Sequence, residues 1–248
     1  MPAPFLAALL AAAAHAAPGV TWNGGVDLPL TLGTGAIWAG LYLGEGRQPV
    51  TEAATVGEPG GIDAWGRTRT DEGAARASDA LLYGTLALGL AGTPLLAGQG
   101  AAGPALGNVV QAFAVNGAIT ELTKQAVDRP RPYTLGAGRT GSPDDDKSFF
   151  SGHSSTTAAV AFAAARTVDL SADLSPAARI GLYGGATALS ATTAALRVAA
   201  GRHWPSDVLV GLLVGGSVGW LVPELHRGDR AGVALSAGPA SLSLGGRF

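Results

Sequence analysis

Ala-Leu-Arg-Val-Ala-Ala-Gly-Arg-His-Trp-Pro-Ser-Asp-Val-Leu, residues 195–209, joins two apolar runs through a short polar turn. The runs on either side, 177–196 and 208–222, are too long for strands and suit helices. Pro205 is a natural first helical residue, because its fixed φ fits the first turn and its missing N–H would be unpaired there. Asp207 then falls in the first turn of the second helix, one turn after His203. A carboxylate in that place can accept the N–H of one imidazole nitrogen and leave the lone pair of the other free to attack. A satisfied structural His–Asp pair has the same signature, so the turn alone does not assign a role.

Working outward, four more apolar stretches of helical length precede these two, at 28–43, 80–97, 104–122 and 155–168. Gly103-Pro104 and Ser175-Pro176 each put a cap-competent residue before a proline, and Ser78 is placed to cap the second helix. Polar segments separate the helices at 44–77 and 128–150. Asp144-Asp145-Asp146 in the latter reads as a solvated loop tip. After residue 230 the pattern changes. Val233, Leu235, Leu242 and Leu244 alternate with small or polar residues around Gly238-Pro239, which predicts a short hairpin. The expected fold is all-α, a six-helix bundle over 18–230 with a C-terminal β-hairpin-like tail over 231–248.

Residues 1–17 read as an export signal: the apolar run 5–14 is followed by Ala14-His15-Ala16, a small-residue cleavage pattern. Hydrophobic residues make up 47% of the chain and charged residues 14%, with 38 glycines, which suits closely packed helices. A net charge of -2 gives no basic face for nucleic acid, so an acidic ligand needs a local cluster of cations. The lack of cysteine excludes disulfides, thiolate metal sites and cysteine nucleophiles.

Two further clusters supply what the 195–209 turn lacks. In Lys124-Gln125-Ala126-Val127-Asp128-Arg129-Pro130-Arg131-Pro132, Pro130 stops the third helix a residue or two earlier. Lys124 on the last turn and Arg131 leaning back over it can then clamp an anion. In Ser148-Phe149-Phe150-Ser151-Gly152-His153-Ser154, a Ser-Gly pair enters the fourth helix. Its free N–H groups suit phosphate, and His153 stands at the mouth of that site. Each cluster alone also fits a bland reading, as a basic helix end or an ordinary cap. In an up-and-down bundle, however, the ends of helices three and five and the starts of four and six share one face. All three clusters are therefore expected to form one site.

Together these motifs resemble the phosphatidic acid phosphatase type 2 superfamily, which also includes bacterial acid phosphatases and vanadium haloperoxidases. The matching residues are Lys124 with Arg131-Pro132, Ser151-Gly152-His153, and Arg197 with His203 and Asp207, all at the family spacing. Phe150 and Leu196 stand where the family has proline and serine. The resemblance implies a phosphatase in which His203 attacks phosphorus, Asp207 holds its ring, and His153 protonates the leaving oxygen. Lys124, Arg131, Ser151, Gly152 and Arg197 would bind the phosphate oxygens. It implies no metal and no cofactor, with vanadate binding as an inhibitor.

The expected substrate is a phosphorylated lipid or a small phosphate ester, met in the cell envelope, at the inner membrane or in the periplasm. The alternatives are a soluble periplasmic acid phosphatase and a vanadium-dependent haloperoxidase. Asn108, Gln111, Asn116 and Glu121 in helix three, and only about 14 uninterrupted residues in helix four, weigh against a bundle that fully spans a bilayer.

Overall fold

The computed structural model describes residues 19–44, 59–66, 68–98 and 100–228, and the backbone of 233–238 and 241–246. The expected export signal, and the turn residue Pro239, lie outside the described residues.

All six expected helices are present: α1 (Asp27–Leu43), α2 (Glu72–Ala87), α3 (Ala102–Val127), α4 (Gly152–Ser171), α5 (Pro176–Ala199) and α6 (Pro205–Leu225). Residues Leu88–Gly92 widen into a π turn before the helix resumes at Thr93–Ala97. Pro94 lies just beyond, where its ring would crowd the carbonyl four residues back, and the wider turn relieves that contact. Val233–Gly238 (β1) pairs antiparallel with Ser241–Gly246 (β2).

Three local expectations change. Ser78 does not cap α2; Asp71 does, its carboxylate accepting the Ala74 N–H at 3.0 Å. The helix therefore starts well before residue 80 and carries Ser78 inward, where its hydroxyl donates to the Ala75 carbonyl. The polar character of these first turns hid them from a search for apolar runs. α4 has 20 residues, because its first turn is serine-rich yet helical. The triple acid is a solvated tip only in part: Asp144 is exposed, but its neighbour is not. Asp145 is buried and accepts from the Tyr133 hydroxyl, the Thr140 N–H and hydroxyl, and the Gly141 N–H. Four donors converging on one carboxylate recover the cost of burying it.

α4 sits in the middle, packed against α2, α3, α5 and α6. Its buried face is largely alanine, including Ala158, Ala159, Ala163 and Ala165. On α6, Gly211, Gly215 and Gly219 recur every fourth residue and face α4. A Cβ at Gly215 would stand 2.0 Å from the Ser155 carbonyl oxygen, and one at Gly219 2.4 Å from that of Ala159. The two backbones touch, and only glycine permits it. The polar residues of α3 point inward: Asn108, Gln111, Asn116 and Glu121 are all buried, and Asn116 donates to Ser155 and Thr156. They are interior groups, so they do not count against an apolar exterior.

Candidate active site

The end of α3, the start of α4, the end of α5 and the start of α6 meet at one end of the bundle, joined by the first turns of α2. His203 lies in the α5–α6 turn and is buried. Its Nδ1 is 2.7 Å from the Ser148 carbonyl oxygen. A carbonyl only accepts, so Nδ1 carries the proton and Nε2 keeps its lone pair. Nε2 stands 3.3 Å from Arg131 Nη1.

Asp207 was expected to accept the imidazole N–H directly, and here the geometry differs. Its Oδ2 lies 3.8 Å from His203 Nδ1, beyond hydrogen-bond reach. The fully buried carboxylate instead accepts from the Ser148 hydroxyl, the Trp204 N–H at 2.9 Å and Arg129 Nη1. It therefore fixes His203 through Ser148, whose hydroxyl it holds and whose carbonyl the ring meets. Arg129 Nη2 reaches on to Asp63 at 2.8 Å, and Asp63 accepts from the Ser206 N–H and hydroxyl.

Arg131 is held by backbone. Its N–H donates to the Asp145 carbonyl and its Nε to that of Asp144, at 2.8 and 2.7 Å. This is the purpose of the buried acid loop. Lys124 Nζ is 3.1 Å from Glu121 and comes within 3.3 Å of where a Cβ would stand on Gly152. Gly152 thus lets the ammonium approach the first turn of α4. Ser151 caps that helix, and its oxygen accepts from the Ser154 hydroxyl at 3.0 Å, so its own proton is free to donate. Arg197 Nη1 lies 3.3 Å from Ser78 and 3.6 Å from Asp79, while its Nε is buried without a hydrogen-bond partner. His153 Nε2 is 2.7 Å from Asp79 Oδ1.

Every sequence-expected site residue is accordingly at this end. Four more were missed: Ser148, Asp79, Arg129 and Asp63. Arg129 was visible beside Arg131 in the first cluster; nothing in the sequence singled out Asp63 or Asp79 from the other acids near them.

Electrostatics knit the residues together. Burial first, then the charges of Arg131, Arg197 and Lys124, push the His203 imidazole well below its usual range. Burial, then Arg197, pushes His153 down to about 4, against the pull of Asp79. Both rings thus feel Arg131 and Arg197, which places them around one cationic centre. Burial, then Arg131, also brings Arg197 down to about 10. So strong a concentration of buried positive charge is a cradle for an anion.

A pH dependence follows. In the unfolded chain each imidazole titrates near ~6.5. Between that pH and about 4 the unfolded chain takes up protons that folded His153 refuses, so stability falls as the pH falls. A urea midpoint lower at pH 5 than at pH 7, with the difference reduced in His153→Gln, is the expected result. A midpoint independent of pH over this range would contradict it.

The model of a family described as the PAP2 superfamily matches residues 105–230, about half of the chain. The match covers every expected site residue but leaves Asp79 and Asp63 outside. No curated protein and no solved structure matches the chain.

Proposed function

Because this chain belongs to the PAP2 superfamily, whose members are generally phosphatases, we propose that it hydrolyses phosphate esters through a phosphohistidine. The observation that carries this reading is the tautomer of His203. Its Nδ1–H is occupied by the Ser148 carbonyl, and the unprotonated Nε2 is left beside Arg131.

In the first step His203 Nε2 attacks phosphorus, the P–N bond forms and the ester P–O bond breaks. The leaving oxygen takes a proton from the His153 nitrogen that Asp79 leaves free, because the carboxylate of Asp79 holds the Nε2–H. His153 is neutral in the free protein, and it gains that proton as a dianionic substrate enters and offsets Arg197 and Arg131. Asp79 stabilises the imidazolium so formed. In the second step neutral His153 removes a proton from water, which attacks phosphorus and breaks the P–N bond. Lys124, Arg131 and Arg197, with the Ser151 hydroxyl and the Gly152 N–H, hold the equatorial oxygens. Charge stabilisation and positioning account for most of phosphoryl-transfer catalysis. Three cations supply that charge from the protein itself, so the reaction proceeds without a metal ion.

The substrate is a lipid phosphate or a terminal pyrophosphate on a lipid. Residues Glu72–Ala97 and Pro205–Leu225 are long and apolar enough to cross a membrane. Leu209, Leu213 and Leu221 of the second segment are exposed on its outer side. Purified protein is expected to release phosphate from lipid and soluble monoesters in the presence of a chelator, with vanadate inhibiting. Rates on the lipid ester should exceed those on nucleotides. Release that requires an added divalent ion, or no release from any ester, would overturn the assignment; a preference for nucleotides would overturn only the lipid part.

A further inference from the structure

A small element outside the family match stands at the rim of the catalytic end. Residues Gly61–Trp65 form one 3-10 turn. Its centre is fastened to the machinery: Asp63 accepts from Arg129 at 2.8 Å and from the Ser206 N–H and hydroxyl at 2.8 and 2.7 Å. Its end is packed down as well, since a Cβ on Gly66 would fall 2.5 Å from the Trp204 ring. Yet the two large side chains flanking Asp63 point away from the protein. Ile62 is 49% exposed and Trp65 83%.

A tryptophan so exposed on a firmly held turn forgoes most of the burial that its ring normally gains. Its position relative to the two membrane-length segments gives a reason. Asp63 grips Ser206 in the first turn of α6, and Trp65 lies seven residues before the start of α2. The turn is therefore level with the N-terminal end of α6, at the end of the bundle where α2 also begins, its Asp71 N–H meeting the Ala200 carbonyl at 3.4 Å.

The other end of α6 is marked by charge. Glu224 pairs with Arg166, and Arg166 and Arg179 with Asp169. From Ser206 to Glu224 the helix rises about 27 Å, close to the ~30 Å of a hydrocarbon core. Polar groups thus bracket a stretch whose exposed residues are Leu209, Leu213, Ser217, Trp220 and Leu221, all but one of them apolar. The turn lies at one bracket, the depth at which tryptophan is enriched in membrane proteins because its ring is apolar and its N–H prefers water.

We propose that Ile62 and Trp65 form an interfacial anchor that enters the headgroup layer of a lipid leaflet. Through Asp63, Arg129 and Asp207 it sets the phosphate cradle at the depth of lipid phosphates. This rests on the membrane-facing reading of the protein given above. The occupant is the lipid surface itself rather than a protein partner.

The test uses the full chain reconstituted in phosphatidylcholine vesicles, as wild type and Trp65→Phe. The emission lost in the variant reports Trp65 alone. That component is expected to be quenched by lipids brominated near the carbonyl end of the acyl chain and shielded from iodide in the buffer. A component quenched by iodide and indifferent to brominated lipid would overturn the proposal.

A kinetic arm separates this from the catalytic reading. Trp65→Ser should leave turnover of a soluble monoester within about twofold, while raising KM for a vesicle-borne lipid phosphate by about fivefold or more. Equal effects on both substrates, or none on either, would count against an anchor. If the wild type hydrolyses neither ester, the phosphatase reading fails while the fluorescence result still decides the anchor.

Discussion

Replacing His203 with alanine is expected to lower kcat on a phosphate monoester by about four orders of magnitude or more, since nothing else at the site can accept phosphorus. His203 Nε2 is the unprotonated nitrogen beside Arg131, whereas His153 is engaged with Asp79 at 2.7 Å. The change also removes the N–H that satisfies the buried Ser148 carbonyl, at a stability cost of about 1–3 kcal/mol. His203→Gln provides the control, because its amide can still donate to Ser148 but cannot attack. Both variants should remain helical by circular dichroism, and neither should yield an acid-labile, base-stable phosphoprotein on rapid quenching with labelled substrate. Turnover at the wild-type rate in both variants would remove His203 from the mechanism.

Asp207→Asn is expected to give a folded protein with kcat reduced by about two to four orders of magnitude and KM little changed. The carboxylate accepts from Ser148, Trp204 and Arg129, and an asparagine replaces one acceptor oxygen with a donor. The Ser148 hydroxyl and the Trp204 N–H both donate to Oδ2, so an amide nitrogen in its place unpairs the two together, the Ser148 carbonyl shifts, and the imidazole it orients shifts with it. Arg129 meanwhile retains Asp63 as its counter-ion. Leaving a buried donor unpaired lowers stability by about 1–3 kcal/mol. The phosphate-binding cations do not contact Asp207, which is why the effect falls on kcat. A variant with lowered melting temperature but unaltered kcat would make Asp207 purely structural.

The six helices were legible because each carries an apolar run longer than a strand and is bounded by proline, serine or glycine. The catalytic end was legible because Lys124, Arg131, His153, Arg197 and His203 sit at helix termini, where an up-and-down bundle gathers them. What escaped has physical causes. The group that orients His203 is a main-chain carbonyl, which every residue has and no side chain announces. Asp79 comes from a helix whose first turns are polar because they line the site, so the run of apolar residues began too late to include it. Asp145 looked solvated as one of three adjacent acids. Its burial depends on Tyr133 and Thr140 arriving from elsewhere in the loop.

The glycine seam between α4 and α6 has a bearing on the chemistry. His153 rides on the first turn of α4, and His203 immediately precedes α6, where the Ser151 N–H also meets the Asp207 carbonyl at 3.1 Å. The gap between proton donor and nucleophile is therefore gauged by two main chains in direct contact, with no compressible side chains between them. Solvent- or lipid-facing substitutions can accumulate on the outer helices without altering that gap, whereas one added methyl at Gly215 would wedge the pair apart and detune both steps of the reaction at once.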